Sequence, residues 1–262
     1  VTFLVYPDIE QRVAALEIPF GESGIDPYGI DRRELARFLS ISAALYRSYF
    51  RVKCTGIEHI PTRGRAMLVG NHSGGVAYDG AMVVTSCFLE MEPPRLAQAM
   101  AEKFIDRTPF FAMWASRCGQ FPGLPENAVR LLEDDRLLVV FPEGARGTAK
   151  LYKERNSLVD FGTGFMRLAM QTRTPIIPFG FRGGGEAFPT VFNAVKLGKM
   201  LGVPYIPVTA YLAPIPLPAQ LSVHYGAPLI FEGTGREDDE QIRESVEAVK
   251  SVVASLMAKS HE

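Results

Sequence analysis

Short apolar runs alternate along this chain with longer stretches in which apolar residues recur every third or fourth position, the periods of strand and helix respectively. The runs at Ala66–Val69, Leu137–Phe141 and Pro175–Phe181 read as strands, and the all-apolar LLVVF suits burial on both faces of a parallel sheet. Arg95–Met100 and Leu221–Tyr225 read as further strands. Helical spacing runs through residues 31–50, where Leu35, Phe38, Leu39, Leu45, Tyr46 and Tyr49 recur. It returns at Asp79–Phe88, at Pro109–Arg117 with its opening proline, at Glu126–Glu133 and at Phe161–Gln171. A last helix places Ile242, Val246, Val249, Val253 and Leu256 on one face, with Asp238 and Asp239 at the end where the helix dipole favours acid. Strand and helix in alternation predict an α/β sandwich. Phe104–Trp114 and Phe188–Val203 are further apolar segments, the second broken by Lys196 and Lys199, that read as ordinary core or as the lining of an apolar groove. Five prolines from Pro204 to Pro218 exclude a regular helix there.

The 262 residues fit one large domain with no linker-like stretch. A formal net charge of -1 gives no global field to attract nucleic acid. Charge is local instead. Arg32, Arg33, Arg37, Arg47, Arg51 and Lys53 face a single acid, Glu34, between residues 32 and 53. Such a helix either lies in an anionic membrane interface or packs on the core with a solvated basic face. Residues 1–50 are therefore an N-terminal helical segment able to contact a membrane, and 51–262 the main domain. Cys54, Cys87 and Cys118 are odd in number and widely spaced, which points to a reducing, cytoplasmic setting. Neither they nor the four histidines show metal-ligand spacing. No signal peptide opens the chain, and no charge-free apolar run of about eighteen residues is present, so any membrane association is expected to be peripheral.

Two segments carry candidate chemistry. In Gly70-Asn71-His72-Ser73-Gly74-Gly75-Val76-Ala77-Tyr78-Asp79 a strand end, a glycine loop and a helix start meet, where open α/β sheets place their sites. A carboxylate at one ring nitrogen of His72 fixes its tautomer and leaves the other nitrogen as a base. Taken alone, a His followed by an Asp is more often a capping or surface feature. Backbone N–H groups around Ser73 to Gly75 are candidate donors to an oxyanion. Ser73 itself adjoins His72 and sits in no G-x-S-x-G elbow, which makes it a loop residue. The second segment, Phe141-Pro142-Glu143-Gly144-Ala145-Arg146-Gly147, ends the most apolar strand. Arg146 offers a planar fork for an anion, with Lys150, Lys153 and Arg155 close behind. The glycine spacing is not that of a Walker phosphate loop.

Together the two segments resemble the phospholipid and glycerol acyltransferase family, which includes lysophosphatidic acid acyltransferases. Its N-H-x-x-x-x-D motif is met by Asn71, His72 and Asp79, and its F-P-E-G-x-R motif by Phe141 to Arg146. Thr174-Pro175-Ile176-Ile177-Pro178 resembles the family's fourth motif. The resemblance implies a mixed, largely parallel central sheet flanked by helices, glycerol-phosphate acyltransferase-like. It implies acyl transfer from acyl-CoA or acyl-carrier protein to the hydroxyl of a glycerolipid, lysophospholipid or other lipid alcohol, without cofactor or covalent acyl-enzyme. His72 would be the general base and Asp79 its orienting carboxylate. Asn71, Ser73, Glu143, Gly144 and Arg146 would contact substrate, and a membrane surface would be a partner. Two features depart from the pattern. Six residues separate His72 from Asp79 instead of four, a difference that a Gly74-Gly75 bulge would absorb. The second family motif falls on Gly119–Pro125, where its arginine is missing. That points to neutral acceptors such as diacylglycerol or a long-chain alcohol, unless Arg117 or Arg130 substitutes. A thioesterase or lipid hydrolase, or a silent lipid-binding module, are the alternative readings.

Overall fold

The computed structural model describes residues 5–76, 78–101 and 109–259, the side chains of 101 and 109–111 excepted. Two helices come first, α1 (Pro7–Ala14) and α2 (Arg32–Ala44), and a π-helical turn at Leu45–Tyr49 prolongs α2. The chain continues as β1 (Lys53–Thr55), β2 (Ala66–Gly70), α3 (Tyr78–Glu90), β3 (Ala97–Ala101), α4 (Pro109–Arg117), β4 (Phe121–Pro122), α5 (Pro125–Glu133) and β5 (Leu137–Val140). Then follow α6 (Ala145–Thr148), α7 (Gly164–Thr172), β6 (Ile176–Arg182), α8 (Gly184–Ala187), β7 (Thr190–Asn193), α9 (Val195–Met200), β8 (Pro207–Thr209), β9 (Ser222–Tyr225) and α10 (Asp239–Ala258).

Seven strands form one sheet in the order β1-β9-β6-β2-β5-β3-β4. β4, β3, β5, β2 and β6 are mutually parallel; β9 pairs antiparallel to β6, and β1 pairs parallel to β9. The sheet is thus mixed and largely parallel, as expected. Its central strands are apolar because both faces are covered: every residue of β2 is buried, as are Leu137, Leu138 and Val139 of β5. On α10 all five residues of the anticipated face are buried, each worth about 1.5–3 kcal/mol by removal from water. Asp238 caps this helix through the backbone N–H of Gln241 (2.9 Å). α10 crosses β6 so closely that a Cβ on Gly180 would lie 2.6 Å from the Met257 nitrogen.

The helix expected over residues 31–50 is α2 with its π turn, capped by Asp31 through Arg33 N–H (2.8 Å) and Glu34 N–H (3.1 Å). Most of its stripe packs inward: Leu35, Leu39 and Tyr46 are buried, with Phe50, in the core that also holds Ile9 and Val13 of α1 and the whole of β2 except its glycine, while Leu45 is exposed. The boundary at residue 50 therefore separates stretches of sequence, not two cores. Among the described residues no helix is long and apolar enough to cross a membrane. The unassigned stretch after β6 holds a separate two-stranded ribbon, β7 with β8, and α9 between them. The expected apolar segment from Phe104 onward lies partly outside the described residues.

Candidate active site

β2, β5 and β6 end together, and their carboxyl ends present the two motifs side by side. At the end of β2 only glycine fits: a Cβ on Gly70 would sit 2.3 Å from the Phe179 ring. Asn71 then binds the chain of β6. Its Nδ2 donates to the Phe181 carbonyl (2.9 Å), and its Oδ1 accepts from the Phe181 N–H (2.7 Å). His72 follows, with its ring stacked on Phe141 at 4.1 Å between centroids and 18° between planes. Gly74 and Gly75 take left-handed φ of 91° and 70°, so the loop doubles back and delivers Asp79 to the histidine. Asp79 Oδ2 lies 2.7 Å from His72 Nδ1, and it also accepts the Ser73 N–H at 2.8 Å. Facing an ionised carboxylate, which only accepts, Nδ1 is the donor, and in the neutral ring that tautomer leaves the lone pair on Nε2. Nε2 has no hydrogen-bond partner among the described residues, and the side chain is 9% exposed while Asp79 is fully enclosed. The glycine bulge anticipated for the two extra residues is what the loop contains.

The turn after β5 supports this arrangement from below. Glu143, also fully enclosed, accepts from His72 N–H (2.8 Å), Val159 N–H (2.8 Å) and the Lys150 ammonium (2.9 and 3.1 Å). Lys150 is 4% exposed and also donates to the Ser157 carbonyl (3.0 Å). Gly144 has φ 55° and ψ −153°, a conformation that favours glycine. Gly147 packs directly against the histidine: an added Cβ would meet His72 Cβ at 2.7 Å and Glu143 Cβ at 2.8 Å. Arg146 is exposed and spends one Nη2–H on the Asp160 carbonyl (2.9 Å).

Several residues expected to meet substrate are thus committed elsewhere. Both polar atoms of the Asn71 amide are taken by Phe181, and both oxygens of Glu143 are taken by Lys150 and backbone, so the two side chains hold the site together from inside. Arg146 and Gly144 remain at its edge. The Ser73 hydroxyl is buried without a partner among the described residues, facing Gly184, where a Cβ would come within 2.1 Å of it. Of the three backbone donors anticipated for an oxyanion, Ser73 N–H goes to Asp79 and Gly75 N–H to the Thr148 carbonyl (3.1 Å). Only that of Gly74 has no partner among the described residues. The basic trio after the turn is also dispersed. Lys150 points inward, and Arg155 pairs with Glu186 (2.8 Å) over the Tyr152 ring. Gly119–Pro125 forms the sheet edge around β4, and Arg130 lies over the Tyr28 ring at 5.6 Å.

Sequence reasoning missed Tyr78 and the inward pairing of Lys150. A lysine seven residues after a motif glutamate carries no signal that it folds back. Tyr78 bonds the Gly184 carbonyl and stacks on Phe50 at 5.5 Å. Burial pushes its hydroxyl well above the usual range, and the nearby carboxylates of Asp79 and Glu186 act in the same direction, so it stays a donor.

Comparison with known proteins agrees with the geometry. An uncharacterized protein of Mycobacterium tuberculosis is 29% identical over 269 residues, spanning 92% of this chain and 74% of its own length. A human protein named DGAT1/2-independent enzyme synthesizing storage lipids is 24% identical over 229 residues, spanning 83% of this chain and 65% of its own. The crystal structure of PlsC, the 1-acyl-sn-glycerophosphate acyltransferase of Thermotoga maritima, superposes with a TM-score of 0.57 at 17% identity, covering 88% of this chain and 85% of that one. At that identity the likeness is one of fold. The Acyltransferase family model matches residues 51–182, just over half of the chain and both motif segments, and the chain belongs to the Acyltransferase family.

Proposed function

We propose that this chain moves a fatty acyl group from an acyl thioester, acyl-CoA or acyl-carrier protein, to the hydroxyl of a lipid alcohol, with His72 as general base. The observation that carries this reading is the buried Asp79–His72 contact of 2.7 Å, which leaves Nε2 as the free end of the pair. As the acceptor oxygen attacks the thioester carbonyl, Nε2 takes its proton. Asp79 holds the ring in register and stabilises the imidazolium. The tetrahedral intermediate then expels the thiolate, which leaves with the proton from His72. Base catalysis of this kind contributes typically ~10²–10⁴-fold. Holding the two substrates together supplies much of the remainder. Ser73 does not enter the chemistry, because its hydroxyl points to Gly184 and not to the ring.

For the acceptor we infer a neutral glyceride or long-chain alcohol. The second-motif segment lacks an arginine, and Arg130 is held over Tyr28. The mammalian relatives are named for storage-lipid synthesis, which supports the same choice. The test is to incubate the purified protein with acyl-CoA, and separately with acyl-carrier protein, against diacylglycerol, fatty alcohols, lysophospholipids and glycerol 3-phosphate, and to identify the ester by mass. Ester on the neutral acceptors is expected. Ester on phosphate-bearing acceptors alone would overturn the acceptor assignment, and free fatty acid at an acceptor-independent rate would make the protein a hydrolase.

A further inference from the structure

The ribbon that follows β6 is built against the usual rule for surfaces. In α9 only Gly198 is buried, while Met200 is 76% exposed and Leu201, just beyond, 61%. Phe192 of β7 is 59% exposed, and Leu212 and Ile215, after β8, are 82% and 64% exposed. Large apolar side chains this open, gathered in one excursion of the chain, mark an interaction surface. Its charge is one-sided. Lys196 and Lys199 are its cations, and no Asp or Glu occurs between Glu186 and Glu232.

The excursion is fastened to the catalytic motifs. A Cβ on Gly198 would meet Tyr205 Cα at 2.5 Å, so α9 lies directly on Tyr205. The Tyr205 hydroxyl bonds the Thr148 hydroxyl and donates to the Gly75 carbonyl (3.3 Å). Asn193 Nδ2 donates to the Ala149 carbonyl (2.6 Å). On its other side, Tyr49 donates to the Pro216 carbonyl (2.6 Å) beside Ile215. Tyr49 in turn borders a shallow apolar groove with Tyr6 before α1, Ile41 on α2 and Leu45 in the π-helical turn.

We propose that the β7-α9-β8 excursion docks on an anionic lipid bilayer and holds the His72 loop at its surface. Apolar side chains interleaved with lysines suit the acyl–headgroup boundary, where carbon is buried and ammonium groups meet phosphate. A second copy of the chain fits less well, because a self-complementary contact would oppose lysines with no carboxylate in the segment to pair them. The choice of lipid rests in part on the acyl-transfer reading, so the test separates the two. The full chain and two variants, Lys196→Glu/Lys199→Glu and Met200→Ser/Leu201→Ser, are sedimented with vesicles of pure phosphatidylcholine and of phosphatidylcholine mixed with phosphatidylglycerol. Expected is preferential binding of the parent to the mixed vesicles, weakened roughly tenfold or more by the charge reversal and at least as much by the serine pair. Acyl transfer to a short-chain, monodisperse acceptor should persist in Lys196→Glu/Lys199→Glu, with an unchanged melting temperature. Equal vesicle binding by parent and both variants would overturn the proposal. So would a parent dimer, seen by light scattering, that the variants dissociate, since the occupant would then be a second copy. Vesicle binding as expected without acyl transfer on any acceptor would leave this inference standing and remove the catalytic one.

Discussion

The loop after β2 and the turn after β5 each bury one carboxylate completely, and the two carboxylates differ in what their partners leave free. Asp79 binds a ring whose second nitrogen has no partner among the described residues. Glu143 binds an ammonium and two backbone N–H groups, and Lys150 in turn is spent on Glu143 and Ser157. Both pairs pay desolvation for their place in the interior. Only in the first does the carboxylate's partner keep a ring nitrogen with no hydrogen-bond partner among the described residues. Burial and a tightly bound carboxylate thus mark both regions alike, and the nitrogen without a partner among the described residues separates the proposed reacting pair from the holding one.

The contrast breaks most sharply at His72. His72→Ala should lower kcat by up to ~10⁴-fold with the circular dichroism spectrum and melting temperature retained; a variant with parental activity would remove His72 from the mechanism. Asp79→Asn should follow at on the order of 10²–10⁴-fold, because the amide no longer selects the tautomer, and pH–rate profiles would report the altered base. Lys150→Met should cost about 3–5 kcal/mol of stability by leaving a buried carboxylate unpaired, measured by urea unfolding. Adding Glu143→Gln should recover part of that loss, and no recovery would mean that the two side chains do not act as a pair. Gly147→Ala sharpens the comparison at the point where the regions touch. The new methyl falls on His72 Cβ, and a cost of about 1–3 kcal/mol is expected, together with a fall in kcat. The smallest effect is expected at Cys87, remote from both regions. Burial pushes its thiol up to about 11, so the thiolate forms only well above neutral pH. Iodoacetamide at pH 8 should leave Cys87 unlabelled in the folded protein and label it in urea, as read by mass spectrometry.

Much of this architecture was legible in the residues because it rests on local rules. The all-apolar β2 and β5, the five-residue stripe of α10 and the two-glycine bulge before Asp79 each announce themselves within a dozen positions. Helix α1 was missed: eight residues with only Ile9 and Val13 buried give too few periods to read. The ribbon of β7 and β8 hid among prolines, where strand and loop look alike. The internal commitments of Asn71, Glu143 and Lys150 were not legible, for one shared reason. Each is polar and stands in or beside a motif, so each looks available to a substrate. Asn71 binds backbone 110 residues away and Glu143 accepts from backbone 71 residues away, while Lys150 folds back on Glu143 seven residues before it, and no side-chain pattern encodes these pairings.

The order of strands has a consequence for how the chain can be divided. The stretch shared with the family ends at Arg182, the last residue of β6, yet β9, which seals that strand's flank, comes some forty residues later. A protein cut there would keep every motif residue but lose the neighbour of both β1 and β6 and the helix lying on Gly180. It would expose an open row of amides on the strand that Asn71 grips, an invitation to aggregate. The catalytic segment is thus a portion of a folding unit, closed only when the C-terminal strand is threaded between its first strand and its last.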